Sequence, residues 1–353
     1  MKNILVLGGT GAMGAHLVQI LADRGDKVSV TTRSHRQSTA NIVYIQGNAK
    51  ENSFLAPLLT RKWDAIVDFM VYTTPVFEQR APKFLAATDQ YIFLSSARVY
   101  ADSSRPICEE SPRLLDSSKD AKFLATDEYS LAKARQENIL HKSGSKSWTI
   151  IRPYITYSEQ RLQLGVLEKE GWLYRALKGR TMVFSEDIVS KLTTLTYGLD
   201  VAGAMASIIG EPRALGEAYH ITQRDAATWR EVLNVYLAVL EKHFGKRPKV
   251  LLLGLDDFSR SKPAEYQIKY DRLFNRAFDS SKISEFVDLQ EFRPLEPGLT
   301  RCLKEFLEKP NFLAIDWRSE AIKDRFSGEM ASLKEIEHWK QKIKYLIYRF
   351  IKN

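Results

Sequence analysis

The stretch that decides the fold reads Ile4-Leu5-Val6-Leu7-Gly8-Gly9-Thr10-Gly11-Ala12-Met13-Gly14. A short apolar run meets a glycine-rich turn, and the helical pattern Ala15 to Arg24 follows at once. The glycines satisfy two spacings together: Gly9, Gly11, Gly14 as G-x-G-x-x-G, and Gly8, Gly11, Gly14 as G-x-x-G-x-x-G. Glycine is needed where φ is positive and where backbone must approach a pyrophosphate. The helix behind the turn offers free N–H groups and the positive end of its dipole to phosphates. Alone the motif is weak; between a first strand and a first helix it specifies a dinucleotide site. The bland alternative is a tight turn that only packs helix on sheet.

Working outward, Val28 to Thr31, Ile42 to Ile45, Ala65 to Phe69, Tyr91 to Leu94 and Trp148 to Ile151 are apolar runs of strand length, rich in β-branched and aromatic residues. Helical patterns such as Ser130 to His141 lie between them. Strand–helix alternation predicts an α/β fold: a Rossmann-type, doubly wound parallel sheet covered on both faces. After Pro153 the rhythm becomes irregular. Leu164 to Leu177, Asp200 to Ile209 and Trp229 to His243 read as helices, and Ala218 to Thr222 and Val250 to Leu253 as strands. This predicts a smaller mixed α/β substrate lobe. The expected division is a dinucleotide-binding domain over 1–155, a substrate lobe over 156–310 with some return to the first domain, and a helical extension over 311–353. Glu329 to Lys352 reads as one long terminal helix.

Composition narrows the class. The chain has 353 residues, 44% hydrophobic and 27% charged, which excludes disorder and fibres. Two cysteines, Cys108 and Cys302, cannot build a disulfide framework, and they fit a reducing, cytoplasmic setting. The opening apolar run is too short for a secretory signal, and no run is long enough to span a membrane. The formal net charge is +9, and residues 338 to 353 supply +5 of it.

The second strand ends Val30-Thr31-Thr32-Arg33-Ser34-His35-Arg36, without the acid that usually binds an NAD ribose. Arg33 stands 19 positions after Gly14, and a guanidinium pairs bidentately with a 2′-phosphate. NADP is therefore favoured over NAD, with Arg33 and Arg36 as candidate ligands; the alternative is a pair of solvated loop cations. Tyr129 and Lys133 are four apart, hence on one face of a helix. A phenol with a pKa near ~10 becomes a useful acid–base group when an ammonium lies beside it. Upstream, Phe93-Leu94-Ser95-Ser96-Ala97-Arg98-Val99-Tyr100 ends a strand where α/β sheets bind ligands.

Taken in order, Gly8 to Gly14, Ser95 to Tyr100, Tyr129 with Lys133, and Arg152-Pro153 resemble the extended short-chain dehydrogenase/reductases, in particular the nucleotide-sugar epimerase/dehydratase group. The resemblance covers most of residues 1 to about 285 and is strongest over the first 160. It implies that Ser96 orients substrate, that Tyr129 is the acid/base, and that Lys133 is its electrostatic partner and a ribose ligand. It implies a cofactor set of Gly8, Thr10, Gly11, Ala12, Met13, Gly14, Arg33, Arg36, Asn48 and Lys133. Asn48 stands where many members carry an adenine-binding aspartate. Leu192 to Tyr197 with Asp200-Val201-Ala202, and Asp279-Ser280-Ser281-Lys282, look like later family segments. In the 4,6-dehydratase branch an Asp-Glu pair follows the hydroxyl residue. Ala97 and Arg98 stand there in this chain, which argues against a dehydratase.

The expected activity is epimerisation or keto reduction of a nucleotide-linked sugar. The alternatives are reduction of a small non-sugar carbonyl, or a catalytically silent dinucleotide-sensing or RNA-binding protein on the same fold. The Ser96, Tyr129, Lys133 set argues against the silent reading and against nucleic acid as partner. No metal site is expected, since the histidines show no ligand spacing. Cys108 lies between Ser96 and Tyr129 without a histidine near it in sequence. A homodimer is what the resemblance implies. Leu333, Ile336, Trp339, Ile343, Leu346, Ile347 and Phe350 form an apolar stripe, with Lys340, Lys342, Lys344, Arg349 and Lys352 mostly on the other side. Such a helix either docks on protein, its own core or a second subunit, or lies on an anionic membrane.

Overall fold

The computed structural model describes residues 1–351, so Lys352 of the terminal basic set lies outside the described residues. Seven strands form one sheet: β1 Asn3–Leu7, β2 Lys27–Thr32, β3 Ile42–Gln46, β4 Trp63–Asp68, β5 Thr88–Leu94, β6 Trp148–Pro153 and β7 Glu217–Ile221. The helices used below are α1 Gly14–Asp23, α2 Thr74–Ala86, α3 Tyr129–His141, α4 Lys169–Leu177, α5 Gly198–Ile208, α6 Trp229–Phe244, α7 Leu295–Glu308, α8 Trp317–Ser327 and α9 Trp339–Phe350.

The chain divides into two compact units. The first comprises Met1–Thr156, Thr194–Asp225 and Ala277–Arg293 and contains the whole seven-stranded sheet. Strand order is β7-β6-β5-β4-β1-β2-β3, and every neighbouring pair is parallel. This is a doubly wound sheet whose order reverses between β1 and β4, the place where such sheets open a crevice at their carboxyl ends. Alternation along the strands feeds two cores. Ile4, Val6, Val28, Val30, Val67 and Ile92 face α1 and α5. Leu5, Leu7, Ile66, Tyr91, Phe93 and Ile150 pack with Phe77 and Phe84 of α2 and Leu140 of α3. Phe84 stacks on Tyr91 at 5.1 Å between ring centres.

The second unit comprises Tyr157–Thr193, Ala226–Arg276 and Pro294 onward. The predicted helix Leu164 to Leu177 is there a two-strand turn, Gln163–Leu164 against Leu167–Glu168, followed by α4. Gly165 sits between those strands at φ +59°, a conformation that interrupts a helix. Met182–Ser185 pairs in parallel with Val250–Leu253. Residues past 310 pack in this unit: a buried charge cluster ties α8 to α4, with Arg175 Nη1 donating to Asp324 at 2.7 Å and Glu320 at 3.0 Å. Arg180 adds a bond to Asp324 at 3.1 Å. Lys323, also buried, bonds Gly171 O at 2.7 Å and Glu320 at 3.1 Å.

The terminal segment is not one helix from 329. Ser332 and Glu335 cap a single 3-10 turn reciprocally, and α9 begins only at Trp339. Tyr345 of α9 is buried; its hydroxyl donates to Asp324 at 2.6 Å and accepts from Ala331 N–H at 2.7 Å. Arg325 donates to the carbonyls of Tyr348 and Arg349 at the helix end. The helix thus docks through its Tyr345 side, whereas Trp339, Ile343 and Phe350 of the apolar stripe are exposed. Among the described residues no helix is long and apolar enough to cross a membrane.

Candidate active site

The glycine turn is built as its spacing demands. Gly8 has φ +73°, and its N–H donates to Thr31 Oγ1 at 3.1 Å. A Cβ on Gly14 would stand 2.8 Å from the Gly9 backbone, and one on Gly9 would meet Val6 at 2.6 Å. These two glycines let helix and strand close on each other. Gly11 differs: a Cβ there meets nothing within 4 Å, so the turn is open above it. Met13 caps α1 without a side-chain hydrogen bond, and the first turn holds no acid. Ala15 N–H bonds Gly11 O at 3.1 Å, and no side chain competes for the remaining N–H groups of the helix start, an arrangement that suits an anion.

A groove of about 430 Å³ runs over this turn. It brings together Gly8, Thr10, Gly11, Arg33 and Asn48, and adds Thr31, Thr32, Lys50 and Met70, which sequence reasoning did not single out. Ala12, Met13, Gly14 and Arg36 do not line it. Arg36 lies over the Tyr44 ring, 5.8 Å from its centre. The Asn48 amide is held in its own turn, donating to Glu51 at 3.0 Å and accepting from Lys50 N–H at 3.1 Å. Arg33 and Lys50 are both exposed at the groove, a cationic rim suited to a phosphate. The open glycine turn, uncapped helix start and basic rim fit a dinucleotide.

Tyr129 opens α3, with Glu128 accepting from Ser130 N–H at 2.7 Å as its cap. One turn on, the buried Lys133 donates to Leu94 O at 2.7 Å, fastening the helix to the end of β5. Its ammonium lies 6.0 Å from the Tyr129 ring centre and 4.6 Å from that of Phe93. Burial pulls Lys133 down to about 8, against the opposing pull of Asp68 and Glu137. Ser96 is buried, and its Oγ accepts from Arg98 N–H at 3.2 Å, capping the turn Ala97–Val99. Arg98 crosses to α3: its guanidinium lies 5.3 Å from the Tyr129 ring centre and bonds Glu128 at 2.6 Å. Tyr129 therefore has two cations at its ring.

Two acids behind the site escaped the sequence reading. Asp68 ends β4, fully buried, accepting from Tyr91 Oη at 2.8 Å, Tyr72 Oη at 3.3 Å and Met70 N–H at 2.9 Å. Burial raises it to about 6, against those bonds and the nearby Lys133 charge. Its sequence signal is an acid within the apolar run Ala65 to Phe69, masked by the apolar residues on either side of it. Glu137 follows Tyr129 and Lys133 at the same four-residue interval. It accepts from Ser95 Oγ at 2.6 Å and from Arg152 at 2.8 and 2.9 Å. Burial opposes its ionisation, but Arg152, Ser95 and Arg113 hold it below the usual carboxylate value.

The remaining candidates are structural. His220 is buried and pushed down to about 4, chiefly by burial; it bridges Tyr100 at 3.3 Å and Asp279 O at 2.7 Å. Cys108 Sγ lies 3.6 Å from Ser111 Oγ. Asp200 accepts from Arg293 N–H at 2.8 Å, and Lys282 pairs with Glu217 at 2.8 Å. Among the described residues no cluster could hold a metal.

The NAD(P)H-binding family profile matches residues 8–184. A curated relative, the chloroplast stem-loop binding protein of 41 kDa b of Arabidopsis thaliana, is 26% identical over 249 residues, 65% of this chain. The match spans 60% of that relative's length. Among solved structures, the Bordetella bronchiseptica enzyme WbmH in complex with NAD+ covers 88% of this chain and 100% of its own, at 16% identity and TM-score 0.64. UDP-glucuronic acid 4-epimerase of Bacillus cereus in complex with NAD covers 86% and 99%, at 17% identity and TM-score 0.64. dTDP-glucose 4,6-dehydratase of Bacillus anthracis in complex with NAD covers 88% and 97%, at 18% identity and TM-score 0.64. At these identities the likeness is one of fold.

Proposed function

Since this chain belongs to the NAD(P)H-binding family and has the fold of the extended short-chain dehydrogenase/reductases, we propose that it is an NAD(P)-dependent enzyme acting on a nucleotide-linked sugar, by epimerisation or keto reduction. The observation that supports this is the tie of Lys133 to Leu94 O, which holds the α3 start against the β5 end that carries Ser96. A binding protein has no need of a phenol with two cations within 6.0 Å of its ring centre.

The groove over Gly8, Thr10 and Gly11 would hold the cofactor, with Arg33 and Lys50 toward an adenosine 2′-phosphate; NADP is therefore the favoured form. When bound, the nicotinamide supplies a hydride acceptor and donor. Tyr129 moves a proton to or from the reacting sugar oxygen, and Lys133 and Arg98 stabilise its phenolate. Ser96 donates a hydrogen bond that orients that oxygen. Ala97 and Arg98 offer no carboxylate for water elimination, so dehydration is outside the reading.

The test is a nucleotide-sugar panel read by product analysis and by net NADPH consumption. Reduction consumes the cofactor and epimerisation does not. Tyr129→Phe should lower turnover about 10²- to 10⁴-fold while leaving cofactor affinity intact; unchanged turnover of an accepted substrate would sink the assignment. A second reading, RNA binding, is favoured by the name of the Arabidopsis relative and by the +9 charge. Salt-dependent retention of a stem-loop RNA, with no turnover on any sugar, would put it first.

A further inference from the structure

The outward stripe of α9 has no role in the chemistry above. Trp339 is 65% exposed, Ile343 48%, Phe350 60%, and Ile351 just beyond the helix 76%. Spacings of four and seven put Trp339, Ile343 and Phe350 on one face, about 16 Å long from end to end. The opposite side, at Tyr345, is the one fastened to Asp324 and Ala331. The helix is thus anchored by polar bonds and by a small apolar cluster, in which Tyr345, Leu346 and Tyr348 meet Trp317, Ala321 and Ile336; Trp339, Ile343 and Phe350 stay outside that cluster and face solvent. Cations flank the stripe on both sides. Lys340 lies 5.8 Å from the Trp339 ring centre and Arg349 5.0 Å from that of Phe350. Lys342 and Lys344 extend the two flanks, and residues 338–351 contain no acid.

We propose that α9 docks the protein on an anionic lipid surface, with Trp339, Ile343 and Phe350 entering the acyl boundary and the flanking lysines and arginine meeting acidic headgroups. Charge complementarity selects this occupant. A second copy of the same helix would bring its basic flanks against the first, whereas a negative leaflet attracts every one of them. Tryptophan and phenylalanine on the apolar side suit the headgroup–acyl boundary in which such a helix lies.

Flotation of the full-length chain with vesicles tests this. The protein should float with equimolar phosphatidylglycerol and phosphatidylcholine and stay behind with phosphatidylcholine alone. The variant Trp339→Ala, Ile343→Ser, Phe350→Ser should lose binding at least about tenfold, and Lys340→Glu with Lys344→Glu should do the same. All five side chains are exposed, so both variants should keep the parent's urea midpoint, which verifies that they fold. The proposal fails if the parent does not float, if it floats equally with neutral vesicles, or if the apolar variant floats like the parent. It also fails if sedimentation shows a dimer that the apolar variant abolishes, which would make the stripe a seam between copies.

Discussion

Lys133 keeps its proton only to about pH 8, and the buried Asp68 behind it ionises only above about pH 6. Between those values the two carry opposite charges, the state in which the ammonium best supports a Tyr129 phenolate. Above about 8 the ammonium is lost and activity should fall; below about 6 the Asp68 carboxylate is lost and Lys133 is left with one fewer opposite charge. Asp68→Asn fixes that second state at every pH. It should move the alkaline limb of kcat/KM toward acid by on the order of one pH unit. The amide oxygen still accepts from Met70 and Tyr72, while the Tyr91 hydroxyl, which donates to the other carboxylate oxygen, must turn to accept from the amide N–H, so urea unfolding should show a loss of about 1 kcal/mol. An unmoved alkaline limb would show that Asp68 does not act through Lys133. Arg33 gives a second test at this scale. Arg33→Ala should weaken NADP at least about tenfold and leave NAD nearly unchanged, measured by fluorescence titration, because one charge-assisted phosphate pair is lost. Equal effects on both cofactors would return Arg33 to the role of a solvated cation.

At the scale of elements, the glycine turn separates packing from binding. Gly14→Ala forces a methyl against the Gly9 backbone and should cost about 1–3 kcal/mol in urea unfolding. Gly11→Ala meets no atom, so it should leave stability within about 0.5 kcal/mol. Its methyl would occupy the space a pyrophosphate needs, and dinucleotide affinity should drop more than about tenfold. A destabilised Gly11→Ala with normal affinity would reverse the assignment. The same contrast explains what was legible beforehand. Strands β1, β2, β4, β5 and β6 are legible because strands buried on both faces are largely apolar, and period-two alternation between Ile4, Val6 and Leu5, Leu7 only sorts them to two cores. The half-exposed edge strand β3 is legible instead from its β-branched and aromatic run Ile42 to Ile45. Helix α2 was not singled out, since Pro75 and Pro82 and its charged residues blur the periodicity. The turn at Gly165 is not legible in the sequence because its neighbours, Leu164 and Val166, are both apolar and continue the run. At the site, Tyr129, Lys133 and Ser96 were visible as spaced residue types, but Lys50 was not, because only the fold of the loops after β2 and β3 puts it at one groove with Arg33.

For the whole molecule, charge is distributed by job. Residues 338–353 hold +5 of the +9, leaving +4 for everything else. Inside the second unit, opposite charges are buried together instead: Arg175, Arg180, Lys323, Glu320 and Asp324 are all less than a tenth exposed. Removing one member leaves its partners charged and dry, so Arg175→Met should cost about 3–5 kcal/mol, read as a lower urea midpoint. An unchanged midpoint would mean that water reaches the cluster. The first unit has a different dependence, set by how its chain is threaded. Its edge strand β7 lies beside β6 in space but begins to follow it only after the detour through residues 157–193. On the ribosome, the last residue of β7 appears 68 residues after the last of β6. At cellular rates of synthesis that is a wait of roughly 3 to 14 seconds. Throughout it, an apolar strand exposes an unpaired edge to every other nascent chain.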